Sequence, residues 1–238
     1  MSDVRVDTYG SMGSRHQQAA MNKDMSTDRK SGVGVPEDLK SIVTDQLGER
    51  LPLAQEYVEL LAKEGIEWGL IGPRETDRLW DRHIVNSLAV SSLIHKGLFV
   101  ADLGSGAGLP GLVLAIARPD LYIDLVEPMS RRCDFLNLCV SRLELEETVN
   151  VVRCRVEDYQ PNPDILTCRA LANLSSLVDM TSRFIPPAML LAIKGERAGM
   201  EVQAAKSLLS SHRLTANIIQ PQSMGSTLGT VVRVEGAR

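Results

Sequence analysis

Cysteine is scarce in these 238 residues: Cys133, Cys139, Cys154 and Cys168 are the only four, and no two of them form a CxxC pair. That pattern argues against a metal site and against a secreted disulfide framework, and predicts reduced thiols packed as small hydrophobes. A signal-peptide core is also missing, because the amino terminus MSDVRVD is polar and acidic. Positive charge is not in excess: 26 Lys and Arg face 30 Asp and Glu, for a net charge of −4. A generally basic nucleic-acid binder is thereby excluded, but a local basic face is not. Lysine is rare, with 7 against 19 arginines, and arginine is the residue suited to forked contacts with phosphate and to stacking on bases. No long apolar run is uninterrupted. The nearest approach, LFVADLGSGAGLPGLVLAIA at 98–117, has four glycines and a proline at its centre, which break a helix there. It reads as a strand, a glycine turn and a helix, in a soluble cytoplasmic chain with no membrane partner.

At about 150 residues per domain, this length predicts one domain with an appendage. Residues 1–34 hold five bases and four acids, few large apolar residues and no periodicity, and are expected to be a disordered tail. Residues 35–96 read as a helical domain. Leu39, Ile42, Val43 and Leu47 fall at helical spacing before Gly48, and Pro52 opens a second helix with Leu53, Tyr57, Leu60 and Leu61 on one face. A third helix is predicted from about Glu75 to His95, with Arg74, Arg78 and Arg82 in one stripe.

From Leu98 onward the texture changes. Strands are predicted at 98–102, 121–127, 149–155, 164–170, 189–195, 213–220 and 229–235, with helices between most of them. This alternation over 97–238 indicates a doubly wound, Rossmann-like parallel sheet with helices on both faces.

In such sheets ligands bind at the carboxyl ends of the strands. The first strand runs directly into Asp102-Leu103-Gly104-Ser105-Gly106-Ala107-Gly108, and the next ends in Glu127, placed to receive ribose hydroxyls. A glycine turn followed about 20 residues later by an acid points to an adenosine-containing cofactor. Two remain open. Read from Gly106, GAGLPG matches the dinucleotide pattern GxGxxG and would make the chain an NAD(P)-linked oxidoreductase. Read from Gly104, GSGAG with Asp102 before it resembles the loop of class I S-adenosylmethionine-dependent methyltransferases. The second reading is favoured, because the first glycine then stands where the strand ends.

A more specific resemblance covers residues 40–235. Arg82-His83-Ile84-Val85-Asn86-Ser87, DLGSGAGLPG, Ala117-Arg118-Pro119-Asp120, Thr167-Cys168-Arg169-Ala170 and Ala192-Ile193-Lys194-Gly195 together resemble the RsmG (GidB) family. The resemblance implies a class I methyltransferase core with a small N-terminal helical domain. It also implies methylation of a guanine N7 in 16S rRNA near the decoding region, an activity whose loss accompanies streptomycin resistance. It assigns Gly104 and Leu109 to the cofactor turn, Val156 and Glu157 to the adenine side and Arg169 to a further cofactor contact. With Asp102, Gly106, Gly108 and Glu127 these form the expected cofactor site. Asn86 stands where the family often has an acid, and Pro128-Met129-Ser130 where many members have Ser-Leu-Gly.

Guanine N7 carries an in-plane lone pair, so methyl transfer to it requires orientation rather than a general base, and no catalytic residue is assigned. Phosphates around the target must be neutralised. Arg131, Arg132, Arg155 and Lys194 fall near carboxyl ends of strands, and with Arg82 they are the expected RNA contacts. Arg131 and Arg132 open a helix, where the macrodipole disfavours cations, which points to a phosphate there. His83 is expected to pin the N-terminal helices to the core. The expected partner is 16S rRNA or the small ribosomal subunit, with the chain acting as a monomer. A non-catalytic RNA-binding module of the same shape stays open beside the two enzyme readings.

Overall fold

A computed structural model describes Val33–Ala237; the predicted disordered tail lies almost wholly outside those residues. Helices α1 (Lys40–Leu47) and α2 (Leu51–Leu60) follow the predicted spacing. Gly48 ends α1 with φ at +50°, a conformation that favours a residue without Cβ. The third predicted helix is a correction. Residues Pro73–Arg78 form a 3₁₀ helix, Leu79–Val85 a π turn, Asn86–Leu88 a single α turn and Ser91–Leu93 another 3₁₀ turn. At three residues per turn, Arg74 and Arg78 point about 120° apart, so the arginine stripe does not form. The wide π turn instead buries Leu79, Trp80, His83, Ile84 and Val85 together, a broader face than an α-helix offers.

The predicted sheet is present. Its strands are β1 (Phe99–Leu103), β2 (Tyr122–Val126), β3 (Val149–Val152), β4 (Ile165–Arg169), β5 (Met189–Lys194), β6 (Leu214–Ile219) and β7 (Thr230–Gly236). Their spatial order is β3-β2-β1-β4-β5-β7-β6. The first five strands run parallel, while β7 lies antiparallel to both β5 and β6. Chain direction across the sheet reverses at β1 and β4, which pair through Asp102 and Thr167, and the crevice beyond that point is where such folds bind ligands.

Side chains alternate between two cores, as the two-residue period of a strand requires. Val100, Ile123, Leu125, Ile165 and Leu191 join α1, α2 and the π turn on one face, together with α3 (Gly111–Ala117) and α4 (Ser130–Arg142). Ala101, Val126, Leu166, Leu190 and Ala192 pack on the other face with α5 (Leu174–Thr181) and α6 (Ala198–Ser211). The N-terminal helices therefore share one continuous core with the sheet. Arg118 fastens this joint, donating to the backbone carbonyls of Ser91 (2.8 Å) and Ile94 (2.9 Å) and to both oxygens of Asp120 (2.7 Å each). A hairpin that the periodicity does not announce, Gln222–Ser223 with Ser226–Thr227, lies against α1: Ser223 donates to Asp45 at 2.8 Å. The 98–117 stretch divides into β1, glycine turn and α3 as read, and no helix among the described residues is long and apolar enough to cross a membrane. Cys133, Cys139 and Cys168 are buried thiols, and Cys154 is partly exposed.

Candidate active site

β1 ends at Leu103 because the next residue needs a left-handed turn. Gly104, Gly106 and Gly108 have φ of +67°, +60° and +97°, a region that side chains rarely occupy. A Cβ on Gly104 would stand 2.6 Å from Leu171 Cδ1, and one on Gly108 would meet Leu112 and stand 3.0 Å from the Tyr57 hydroxyl. The loop is held on several sides. Gly104 and Ser105 donate to the Val126 carbonyl at 2.8 and 3.1 Å, and Gly108 donates to the Ser105 carbonyl at 2.7 Å.

Asp102 and Glu127 are both buried and both serve the loop. Asp102 Oδ2 accepts the Gly111 N–H at 3.0 Å, while its Oδ1 has no partner among the described residues. Burial pushes this carboxyl up to about 7, against the pull of the Gly111 N–H. Glu127 accepts the N–H of Gly106 at 3.0 Å with Oε2 and that of Met129 at 3.1 Å with Oε1. Each oxygen keeps a lone pair for a further donor.

Arg169 ends β4 and reaches the π turn. It donates to the Arg82 carbonyl at 2.9 Å and to His83 Nδ1 at 2.6 Å. Because a guanidinium can only donate, Nδ1 must accept, so the imidazole is neutral and its Nε2–H donates to Glu75 at 3.1 Å. Burial, then the Arg169 charge, lowers the His83 pKa below 6.5. Burial likewise lowers the Arg169 pKa from the ordinary guanidinium value.

Two cavities meet at this network. A cleft of about 400 Å³ lies over the glycine loop, floored by Gly104–Ala107 and Leu109 and bounded by Glu127, Met129 and Arg132. A larger cavity of about 1210 Å³ opens between the N-terminal helices and the ends of β4 and β5, lined by Arg78, Arg82, Asn86, Asn173 and Lys194 among others. Leu70, Ile71, His83, Arg169 and Ala170 line both. Ala170 has φ of +54°, a rare state for a residue with a side chain, of the kind that gathers at functional sites.

The structure gathers Gly104, Gly106, Leu109, Glu127 and Arg169 around the smaller cleft, with Asp102 beneath the loop and Gly108 turned against Tyr57. Val156 is buried in the second core and Glu157 is exposed, and neither lines that cleft. The expected RNA contacts divide. Arg82 lines the larger cavity and pairs with Glu75 at 3.4 Å. Lys194 lines it too, but its ammonium is held inside by the Ala172 carbonyl (2.6 Å) and Glu201 (2.8 Å). Arg132 stands 3.6 Å from Glu127, which gives a cation at this helix start a protein partner. Arg131 and Arg155 are exposed. Tyr57 was legible only as one apolar position on α2, yet its hydroxyl donates to the Ala107 carbonyl at 2.7 Å. Leu70 and Ile71, in the wall between the cavities, carried no signal at all.

Among solved structures, a putative S-adenosylmethionine-dependent methyltransferase from Methanococcus maripaludis has a similar fold, with TM-score 0.51 and 12% identity over 72% of this chain and 94% of that one. Strand order and glycine loop thus define a doubly wound, Rossmann-like fold. The family model described as rRNA small subunit methyltransferase G (GidB) matches residues 50–225. Ribosomal RNA small subunit methyltransferase G of Thermobifida fusca (strain YX) is 51% identical over 169 residues, 70% of this chain and 71% of that protein. The protein of the same name from Mycobacterium sp. (strain JLS) is 48% identical, over 68% of this chain and 74% of its own length. The chain belongs to the rRNA small subunit methyltransferase G family. That membership decides for the methyltransferase reading over the oxidoreductase and the non-catalytic module.

Proposed function

We propose that the protein methylates N7 of a guanine in 16S rRNA, presented as free RNA or within the small ribosomal subunit near its decoding region, and that it does so as a monomer. S-adenosylmethionine supplies an electrophilic methyl group on a sulfonium. The cleft fits such a group. Its volume of about 400 Å³ lies within the range of small-molecule sites. Glu127 keeps free lone pairs for hydroxyls, and the Ala107 N–H has no partner among the described residues. On this reading Gly104, Gly106 and Leu109 cradle the methyl donor, Asp102 and Gly108 hold the turn, and Val156 and Glu157, outside the lining of the cleft, stand on the adenine side.

The observation that carries the assignment to N7 is the state of the groups between the two cavities. Arg169 is a cation, and both ring nitrogens of His83 are engaged, one by Arg169 and one by Glu75. Neither is free to take a proton. An acceptor that attacks with an in-plane lone pair needs none taken. The chain's work is then to hold donor and acceptor in line, with the base in the larger cavity, Arg82, Arg131, Arg132 and Arg155 as the RNA-facing cations, and Lys194 lining that cavity with its ammonium tied to Glu201.

The test is transfer of radiolabelled methyl from S-adenosylmethionine to 16S rRNA and to small subunits from a strain lacking this gene. Chain scission specific for 7-methylguanosine at one guanine is the expected result. Label on another atom, or on neither substrate, would overturn the proposal.

A further inference from the structure

The N-terminal helices and the glycine loop meet at one polar contact. Tyr57 comes from α2, is fully buried, and reaches across the core to the Ala107 carbonyl at 2.7 Å. The peptide it grips is gripped again at its other end, where the Gly108 N–H donates to the Ser105 carbonyl at 2.7 Å. Gly108 makes room for this approach, because a Cβ there would stand 3.0 Å from the Tyr57 oxygen. With the Ala107–Gly108 peptide held at both ends and the Gly106 N–H held by Glu127 at 3.0 Å, the peptide between them is anchored on either side. Its N–H, that of Ala107, is the one without a partner, and Ala107 lines the smaller cleft.

We infer that Tyr57 is a positioning residue for the methyl donor, setting the glycine loop in its binding shape before any ligand arrives. The inference rests on the proposed use of S-adenosylmethionine in that cleft. A buried phenol is an apt anchor. Its ring fills core volume, and its neutral hydroxyl is a good donor to a carbonyl that would otherwise be buried without one. Burial raises the Tyr57 pKa well above 10, so the donor persists across the working pH range. A loop set in advance loses less conformational freedom on binding, and that saving appears as affinity.

The experiment uses the full chain with Tyr57→Phe, which keeps the ring and removes the hydroxyl. Calorimetric titration with S-adenosylmethionine should give a Kd at least fivefold above wild type. The kcat at saturating donor should stay within twofold, and the melting temperature should fall by a few degrees. A folded variant whose Kd stays within twofold of wild type would overturn the inference and leave the function standing. Should the variant not fold, amide hydrogen exchange of the wild type decides. The Gly108 amide is expected to be slow without ligand and little changed by it. A Gly108 amide that exchanges at open-loop rates until S-adenosylmethionine is added would show that the ligand, not Tyr57, sets the loop. Wild-type protein that does not bind S-adenosylmethionine would remove the functional reading, and this inference with it.

Discussion

Arg169 donates to His83 Nδ1 at 2.6 Å, a bond that only a neutral imidazole can accept. It joins the end of β4 to the N-terminal helices at the boundary between the two cavities. Protonation of His83 would set imidazolium against guanidinium, with Arg82 as a second nearby cation and Glu75 as the one compensating acid.

Stability should therefore depend on pH through His83. Its folded pKa is lowered from 6.5, so the unfolded chain takes up the proton first as pH falls. The contribution is complete above pH 6.5 and is lost as pH drops through the folded value. Between pH 8 and pH 5 the melting temperature of wild type should fall relative to that of His83→Gln, which keeps an acceptor but does not titrate. Parallel curves for the two proteins would remove His83 as the source.

Asp102 should show the opposite sign. Its carboxyl is pushed up to about 7 by burial, so the folded chain holds the proton that the unfolded chain releases near pH 4. That term favours folding in acid and is lost as pH rises through about 7. Asp102→Asn keeps an oxygen for the Gly111 N–H and carries no charge. Without cofactor, its stability relative to wild type should rise between pH 4 and pH 7 and then level off. Denaturant melts at four pH values read this directly, and a difference that is constant with pH would contradict it.

Gly104→Ala should damage the cofactor loop twice over. The φ of +67° disfavours a side chain by about 1 kcal/mol, and the new methyl would press on Leu171 Cδ1. The expected loss is about 1–3 kcal/mol of stability with tenfold weaker binding of S-adenosylmethionine. Adding Leu171→Ala should restore part of the stability, because only the steric half of the problem is relieved. Equal melts for the single and double variants would show that the backbone alone is at fault.

Arg118→Ala tests the joint remote from the clefts. The guanidinium serves the Ser91 and Ile94 carbonyls as well as Asp120, whose pKa it holds down to about 2. Charged hydrogen bonds of this kind contribute about 1.5–3 kcal/mol each at most, so a loss of about 2–4 kcal/mol is expected in a melt. Affinity for S-adenosylmethionine should change less than twofold. A large affinity change would mean that the joint transmits to the loop.

The sheet was legible because its strands are short apolar runs between turn residues, and the first of them, LFVAD, leads straight into a glycine cluster. The same logic failed where local pattern and tertiary packing disagree. Residues 75–95 repeat at near-helical spacing, yet Leu79, Trp80, His83, Ile84 and Val85 are all buried, a wider set than one α-helical face carries, and a π turn accommodates them. Of the two arginines at the start of α4, Arg132 has a partner in Glu127 that the local sequence pattern does not announce. Lys194 looked available to RNA because Glu201, seven residues on in α6, gives no sequence sign of bending back to it. Tyr57 was the most hidden of the site residues. Helical periodicity marks which face is buried, but not that one hydroxyl on that face lands on a carbonyl fifty residues away.

The antiparallel strand β7 has a consequence for synthesis. It is the strand that joins β6 to the rest of the sheet, and it occupies Thr230–Gly236. Chains are made from the amino end, so β6 leaves the ribosome with nothing to pair with, and β5 waits with a bare edge until β7 follows. Any stop codon before residue 230 would leave both edges open for good, as templates for aggregation rather than for a sheet. A nonsense change at a codon shortly before residue 230 should therefore behave as a complete loss of the gene. The distance from the glycine loop to the stop would be no guide to its severity.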